Sequence, residues 1–263
     1  EVGKGVTDFK VGDRVASNGQ HAEFISVPEN LVAHVPDNIS DEEAAFTVIG
    51  SIGLQGIRLV NPTIGETVVV IGLGLIGLLT AEMLVANGCK VIGYDLDDTK
   101  VEIAKSKGIL AFNPLKGNDP VKFVQQNSNG IGADAVIITA SAKTNEIISQ
   151  AAKMSRKRGR IVLVGVIGLD ISNEIDYPLP FVRWTEKRNF ETVLQLISSG
   201  KLQVENLISE IIPLENYDKI YGNIGSSKSI ASIIKYNEHN TPEHTIVVNK
   251  KETAPAKGGI GII

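Results

Sequence analysis

The stretch from Thr67 to Thr80 reads TVVVIGLGLIGLLT, and it limits what this chain can fold into more than any other part of it. An apolar run rich in β-branched residues, suited to a buried strand, stops at Gly72, and a helix-forming run begins soon after. Glycine occupies positions 72, 74 and 77. A lone G-x-G-x-x-G is weak evidence, because glycine-rich hexapeptides arise by chance in loops; it gains force between a strand and a helix, which is its setting here. A second β-run, KVIGY (90–94), follows and leads into Asp95, 18 positions after Gly77. Each position has a physical task. Gly72 permits a tight turn, Gly74 lets a pyrophosphate approach the backbone, and Gly77 lets helix and strand pack closely. Leu75 and Ile76 open the helix, where free N–H groups and the helix dipole favour negative charge. The β-α-β unit with its terminal acid therefore predicts a dinucleotide site in a Rossmann-type fold.

Beyond Thr63 the alternation is regular. Helices are expected over 75–87, 97–107 and 143–154, and strands over 67–71, 90–94, 133–139 and 160–165. Unbroken aliphatic strands alternating with helices imply an α/β doubly wound parallel sheet covered on both faces. Gly88, Gly108 and Gly159 fall where helices should end, and Asp119-Pro120 marks the start of another. Ser141 and Lys143, and Val166 to Gly168, follow strands at the carboxyl edge of this sheet, where ligands of open α/β folds bind. They are expected to flank the nicotinamide half of the cofactor. Upstream, VGDRVAS, HAEFISVP and LVAHVP predict short strands of a β-rich domain. Ser40 or Asp41 then caps a helical stretch toward Val60. Gly50, Gly53 and Gly56 interrupt it, marking either a break between two helices or a close approach of a ligand. After Asn189, Phe190, Val193, Leu194 and Ile197 form one face of an amphipathic helix closed by Gly200.

Composition narrows the partners. A net charge of −4 gives no global field to hold nucleic acid or an anionic membrane, which leaves a small-molecule ligand. The only cysteine is Cys89, so the sequence holds no intrachain disulfide or multi-thiolate zinc site, and a reducing, cytoplasmic setting is expected. The greasiest stretch, Val68 to Val85, is broken by three glycines and Glu82 and does not read as a membrane span.

GDRV in the β-rich segment, the long glycine run and VIGYD, in this order, resemble the medium-chain dehydrogenase/reductase superfamily, which includes alcohol, polyol and threonine dehydrogenases. HAEFISVPEN, DEEAAFTVIGSIGLQGIRL and PFVRWTEKRN are similar to bacterial oxidoreductases in which such a dehydrogenase is fused to a second Rossmann enzyme of the glucose-fructose oxidoreductase and inositol dehydrogenase type. The resemblance implies a GroES-like β-barrel part over 1–45, an NAD-binding domain over 46–202, a return segment over 203–240, and over 241–263 a linker with the first strand of a fused domain. It implies that earlier barrel strands, with the zinc ligands of zinc-dependent members, precede Glu1, by about 70 residues on typical domain size. The position where those members carry Cys or Glu falls at about Val48, which ligates no metal, so zinc dependence stays open. The stretch 168–189 is shorter than the family's. Lys100 matches by position the family's lysine that reaches the adenosine ribose.

Other polar residues have plainer readings. His21 and Glu23 alternate on an expected strand, and His34, His239 and His244 have no second ligand at metal spacing. Lys153, Arg156, Lys157, Arg158 and Arg160 are expected at a solvated helix end. Trp184 has two open readings, cleft wall or packing. The resulting expectation is an NAD-dependent enzyme moving hydride between nicotinamide and an alcohol, polyol or sugar-like substrate. Asp95 favours NAD by repelling a 2′-phosphate. A zinc-free quinone or enone reductase and a non-catalytic dinucleotide-binding module are the alternatives. A homo-oligomer is left open, and this stretch alone is expected to bind NAD without turnover.

Overall fold

The structure, a computed structural model, describes residues 1–22, 24–141, 146–165, 183–221 and 229–236. In chain order, strands β1 (Val15–Ser17) and β2 (Val32–His34) precede helices α1 (Asp41–Ala44) and α2 (Thr47–Val60). Then come β3 (Thr67–Ile71), α3 (Leu75–Ala86), β4 (Lys90–Tyr94), α4 (Asp98–Ser106), β5 (Leu110–Phe112), α5 (Pro120–Asn127), β6 (Ala133–Ile138), α6 (Glu146–Met154) and β7 (Ser155–Leu163). The last described elements are α7 (Glu186–Ser198), β8 (Ile208–Pro213), α8 (Tyr217–Tyr221) and β9 (Ala231–Lys235).

Five parallel strands form the central sheet in the order β5-β4-β3-β6-β7. All five residues of β3 are buried, because successive side chains of the central strand enter opposite layers. Val68 and Val70 pack with Leu54, Leu79 and Val193 from α2, α3 and α7. Val69 and Ile71 pack with Val124, Ala151 and Met154 from α5 and α6. Chain direction across the sheet reverses at β3, which opens a crevice between the carboxyl ends of β3 and β6. Two smaller sheets flank it: β1 pairs antiparallel with β2, and β8 pairs parallel with β9.

Capping follows side-chain chemistry. Ser40 caps α1 in a reciprocal box with Glu43, Asp119 caps α5 just ahead of Pro120, and Thr185 caps α7. Gly88, Gly108 and Gly200 close their helices at positive φ, as expected. Phe190, Val193, Leu194 and Ile197 form the buried face of α7.

Several expectations are corrected. Gly50, Gly53 and Gly56 do not break α2; the break falls earlier, at Ala45 and Phe46, while Gly56 lines a cleft at the end of β7. A Cβ on these glycines would collide with Val193, Thr80 and Val164 respectively, so they let α2 lie close against α7, α3 and the end of β7. HAEFISVP forms no strand among its described residues, and Phe24 and Ile25 lie exposed. Glu23 lies outside the described residues, and His21 sits in a bend. Gly159 ends no helix, because α6 runs straight into β7 and Gly159 lies within that strand. Of the basic run, Lys153 lies exposed in the last turn of α6, as expected, whereas Arg156, Lys157, Arg158 and Arg160 are in β7. Arg156 pairs with Asp134 on β6 at 2.5 Å, and Arg160 pairs with Glu66 at 2.5 Å while donating to the Val60 carbonyl at the end of α2 at 2.7 Å. β5 lacks the length to announce itself and is absent from the expected strands. Lys143, Val166, Gly168, His239, His244, most of 168–189 and the segment 241–263 lie outside the described residues.

One buried ion pair joins the sheet layer to the chain that follows α7. Lys107 Nζ meets Glu82 Oε2 at 2.5 Å, with the Lys107 side chain only 2% exposed. Lys107 also donates to the Gln203 carbonyl at 2.7 Å, and the Gln203 amide donates to Glu82 Oε1 at 2.7 Å. Both charges are thus hydrogen-bonded on more than one side, which a buried pair needs if it is not to cost stability. Lys107→Ala leaves Glu82 buried without its cation and is expected to cost about 3–5 kcal/mol. Urea unfolding would read this as a lower midpoint with an unchanged slope. The double replacement Lys107→Met with Glu82→Leu should cost much less than Lys107→Ala. A midpoint unchanged in Lys107→Ala would contradict this account.

Candidate dinucleotide-binding site

The turn between β3 and α3 is fixed from three directions. Gly72 takes φ of 92°, where an L side chain is strained, and its amide donates to the Tyr94 carbonyl at 2.9 Å. Thr139, just beyond β6, donates its hydroxyl to the Gly72 carbonyl at 2.7 Å. A Cβ on Gly77 would collide with that same Gly72 carbonyl and lie 2.8 Å from Thr139 Oγ1. Only a glycine lets α3 start this close to the strand ends. Gly74 differs: a Cβ there would meet nothing within 4 Å, at an ordinary φ of −66°. No side chain caps α3 at Gly74, which leaves its first amides without a side-chain partner, as at an anion site; Gly74, Leu75, Ile76 and Gly77 are not among the residues lining the cleft that Gly72 and Asp95 share.

Asp95 stands at the neighbouring strand end. Its Oδ2 accepts the Leu73 amide at 2.7 Å and its Oδ1 accepts the Asp97 amide at 2.9 Å. The carboxylate is thereby held beside the glycine turn, with lone pairs to spare for further donors. It is not the cap of α4, a role taken by Asp97 through Thr99. Gly72, Asp95 and Ser141 line one cleft of about 810 Å³ at the carboxyl edge of the sheet. Its other wall combines Tyr94, Leu96, Leu115 and Gln150, none of them expected from sequence. They come from the segments at the ends of β4 and β5 and from the middle of α6. Asn113 ties this wall together, its Nδ2 donating to the Leu96 carbonyl at 2.9 Å and its Oδ1 accepting the Leu115 amide at 2.9 Å. Tyr94 donates to Gln150 Oε1 at 3.3 Å, and burial pushes its phenol well above the usual range. Apolar walls with a fixed acid and open helix amides suit an adenosine carrying phosphates. Lys100 is half-buried one turn into α4 and is not part of the cleft lining.

A second cleft, of about 640 Å³, opens at the end of β7 between α2 and α7, lined by Val48, Ser51, Gln55, Val164, Trp184 and Asn189. Trp184 both lines this cleft and packs, since the Arg58 guanidinium lies 3.4 Å from its ring centroid. Of the described histidines, neither His21 nor His34 lines either cleft. His34 Nε2 bonds the Asp8 carbonyl at 2.9 Å and its ring stacks on Phe9.

A doubly wound parallel sheet with a glycine turn at its switch point and small strand-rich flanks defines the dehydrogenase class of the medium-chain type. Within that class the chain belongs to the zinc-binding dehydrogenase family, whose model matches residues 76–210. It is 29% identical over 260 residues to an alcohol dehydrogenase of Geobacillus stearothermophilus, covering 84% of this chain and 75% of that protein. It is 26% identical over 281 residues to D-xylulose reductase A of Aspergillus oryzae, covering 89% of this chain and 76% of that protein. Among solved structures, the alcohol dehydrogenase TADH from Thermus sp. ATN1 superposes with a TM-score of 0.66 at 27% identity. That match covers 78% of this chain and 63% of TADH, less than two thirds of its length. The family match makes the chain an oxidoreductase of the dehydrogenase type, and its relatives include an alcohol dehydrogenase and a D-xylulose reductase. Among the described residues no group of three or more His, Cys, Asp or Glu could hold a metal, so these residues do not fit zinc and no chemical step is derived through it. Nor is any helix among them long and apolar enough to cross a membrane.

The two glycines of the turn separate folding from binding. Gly74→Ala should leave the urea midpoint close to that of the parent, because its Cβ enters open space, while raising the dissociation constant for dinucleotide at least about tenfold, roughly 1.4 kcal/mol. Gly77→Ala should lower the midpoint instead. Equal destabilisation by both would mean that the space beside Gly74 is not kept for a ligand.

Proposed function

We propose that this chain binds NAD across the carboxyl edge of its parallel sheet and serves an enzyme that transfers hydride between nicotinamide and an alcohol, polyol or sugar-like substrate. When bound, the cofactor supplies the hydride acceptor or donor; the protein's part is to position it and exclude water. Gly74, Leu75, Ile76 and Gly77 take the pyrophosphate at the start of α3, and the Tyr94–Leu115 wall takes the adenine. Ser141 stands at the switch point, and Val166 and Gly168 are proposed to flank the nicotinamide on its way to the second cleft. The alcohol or polyol substrate class rests on the alcohol dehydrogenase and D-xylulose reductase relatives.

The observation that carries the NAD reading is the clamped Asp95 carboxylate, fixed by two backbone amides beside the glycine turn. Ribose hydroxyls donating to a charged acceptor gain about 1.5–3 kcal/mol per bond. A 2′-phosphate at the same place meets a like charge, worth about 4 kcal/mol of repulsion per unit charge at 4 Å and an effective dielectric of 20. Repulsion therefore decides against NADP. Lys100 is the proposed second donor to the ribose, reached by movement of its flexible stem. A zinc-free reductase of quinones or enones is the second reading, favoured by Val48, which lines the second cleft and offers no metal-binding atom. A screen of alcohols against quinones with the reduced and oxidised cofactor separates the two.

Calorimetry with both cofactors tests the reading. NAD should bind at least about tenfold tighter than NADP, and the ratio should shrink in Asp95→Ser and in the isosteric Asp95→Asn. Equal affinities in the parent protein, or a ratio unmoved in both variants, would show that Asp95 does not select the cofactor.

A further inference from the structure

A side-chain amide in the first cleft is held in a single orientation. Gln150 follows Ile147 by three positions and Glu146 by four on α6, so the three share a helix face, and all of them line the cleft. Leu96 and Leu115 in the same lining are 62% and 73% exposed, large apolar surfaces that a flat aromatic base would cover. Tyr94 reaches the cleft from the end of β4. Its side chain is buried, and its ring packs 5.4 Å from that of Phe112, centroid to centroid. A buried phenol O–H needs an acceptor, and among the described residues it has one, Gln150 Oε1 at 3.3 Å.

That bond orients the amide. Burial lifts the Tyr94 phenol well above its usual range, so the hydroxyl keeps its proton and stays a donor. Turning the amide by half a rotation would put its N–H groups there and leave the phenol hydrogen without an acceptor. Oε1 still has a second lone pair, and Nε2 has both hydrogens, since neither atom has a further partner among the described residues. Nε2 is not one of the buried atoms that lack a partner, so it is open at the cleft that Gln150 lines. The other polar side chains of the lining do not offer such a fixed donor–acceptor pair. Asp95 and Glu146 are carboxylates and only accept, and Asp119 Oδ1 already takes the Lys122 amide at 2.9 Å. Asn118 and Ser141 are exposed, and no hydrogen bond among the described residues fixes either.

We propose that Gln150, held in this orientation by Tyr94, selects adenine as the base of the dinucleotide. Oε1 accepts from the adenine 6-amino group and Nε2 donates to the neighbouring ring nitrogen, the pairing by which amide side chains distinguish adenine elsewhere. Tyr94 is the positioning residue. Hypoxanthine in the same pose brings its carbonyl oxygen against Oε1, and the amide cannot turn to meet it without abandoning the phenol. The inference rests on the dinucleotide reading above and adds to it the residue that recognises the base.

Calorimetry on the full chain compares NAD with deamino-NAD, which carries hypoxanthine in place of adenine and has the same charge, and adenosine with inosine 5′-monophosphate. NAD should bind at least about tenfold tighter than deamino-NAD. Gln150→Leu and Tyr94→Phe should each shrink this ratio at least about threefold, for opposite reasons. Gln150→Leu loses affinity for NAD, whereas Tyr94→Phe frees the amide to turn and gains affinity for deamino-NAD. A merely structural role for Tyr94 would weaken both cofactors together and leave the ratio unmoved. Equal affinities in the parent, or a ratio that survives in either variant, overturns the proposal. NAD bound with no base preference overturns base selection alone and leaves the dinucleotide reading standing. Adenosine monophosphate preferred over inosine monophosphate with NAD unbound overturns the dinucleotide reading and leaves the base pocket standing. Binding of neither NAD nor adenosine monophosphate overturns both.

Discussion

The approach of α3 to the Gly72 carbonyl governs the rest of the molecule, since Gly77 leaves no room for even a Cβ between helix and turn. Because the helix begins this close to the strand end, its first turn starts beside the Asp95 carboxylate, which accepts the Leu73 amide, and the proposed dinucleotide would use both. Thr139 closes the arrangement from β6 by bonding the same carbonyl, so the switch point between β3 and β6 is locked by the turn that makes it useful. The anion-attracting amides and the anion-repelling carboxylate are then neighbours. On the proposed reading a diphosphate would sit beside the first and a ribose diol beside the second, where a 2′-phosphate would meet a like charge.

Close packing by glycine recurs where α2 crosses the domain. Gly50, Gly53 and Gly56 bring one face of this helix against Val193, Thr80 and Val164, which draws α7 and the end of β7 together over the second cleft. The consequence is that Gln55, Arg58, Thr192 and Asn189 meet across a narrow α2–α7 seam beside Trp184. The Lys107–Glu82–Gln203 clasp holds the far end of the same layer, fixing the chain after α7 to α3 and α4. The two clefts are thus walls of one packed scaffold, and such preorganisation is what the proposed hydride transfer between two bound molecules would require.

Legibility followed the range of the interactions. β3, β4 and β6 were readable because a strand buried on both faces is aliphatic throughout, and the turn at Gly72, the close packing at Gly77 and the place of Asp95 beside them because all are set within one β-α-β unit. β5 has only three residues, too few for a period to show. The α2 glycines carry no local sign of their partners, which lie up to 143 positions away at Val193, so a break was as good a reading as packing. Arg156 and Arg160 read as a solvated run because Asp134 and Glu66 reach them only across the folded sheet edge. The same holds for the wall of Tyr94, Leu115 and Gln150, assembled from two strand ends and the middle of a helix that the alternation of elements places together without naming the side chains.

The central claim is that the start of α3 and the Asp95 loop form the dinucleotide site, and amide hydrogen exchange with and without NAD tests it most directly. Saturating NAD is predicted to slow exchange at residues 74–78 and 95–97 by at least about tenfold, the ratio expected from 1.4 kcal/mol of local stabilisation, with little change in the β1–β2 pair. NAD binding detected by calorimetry with exchange at 74–78 unaltered would contradict the account.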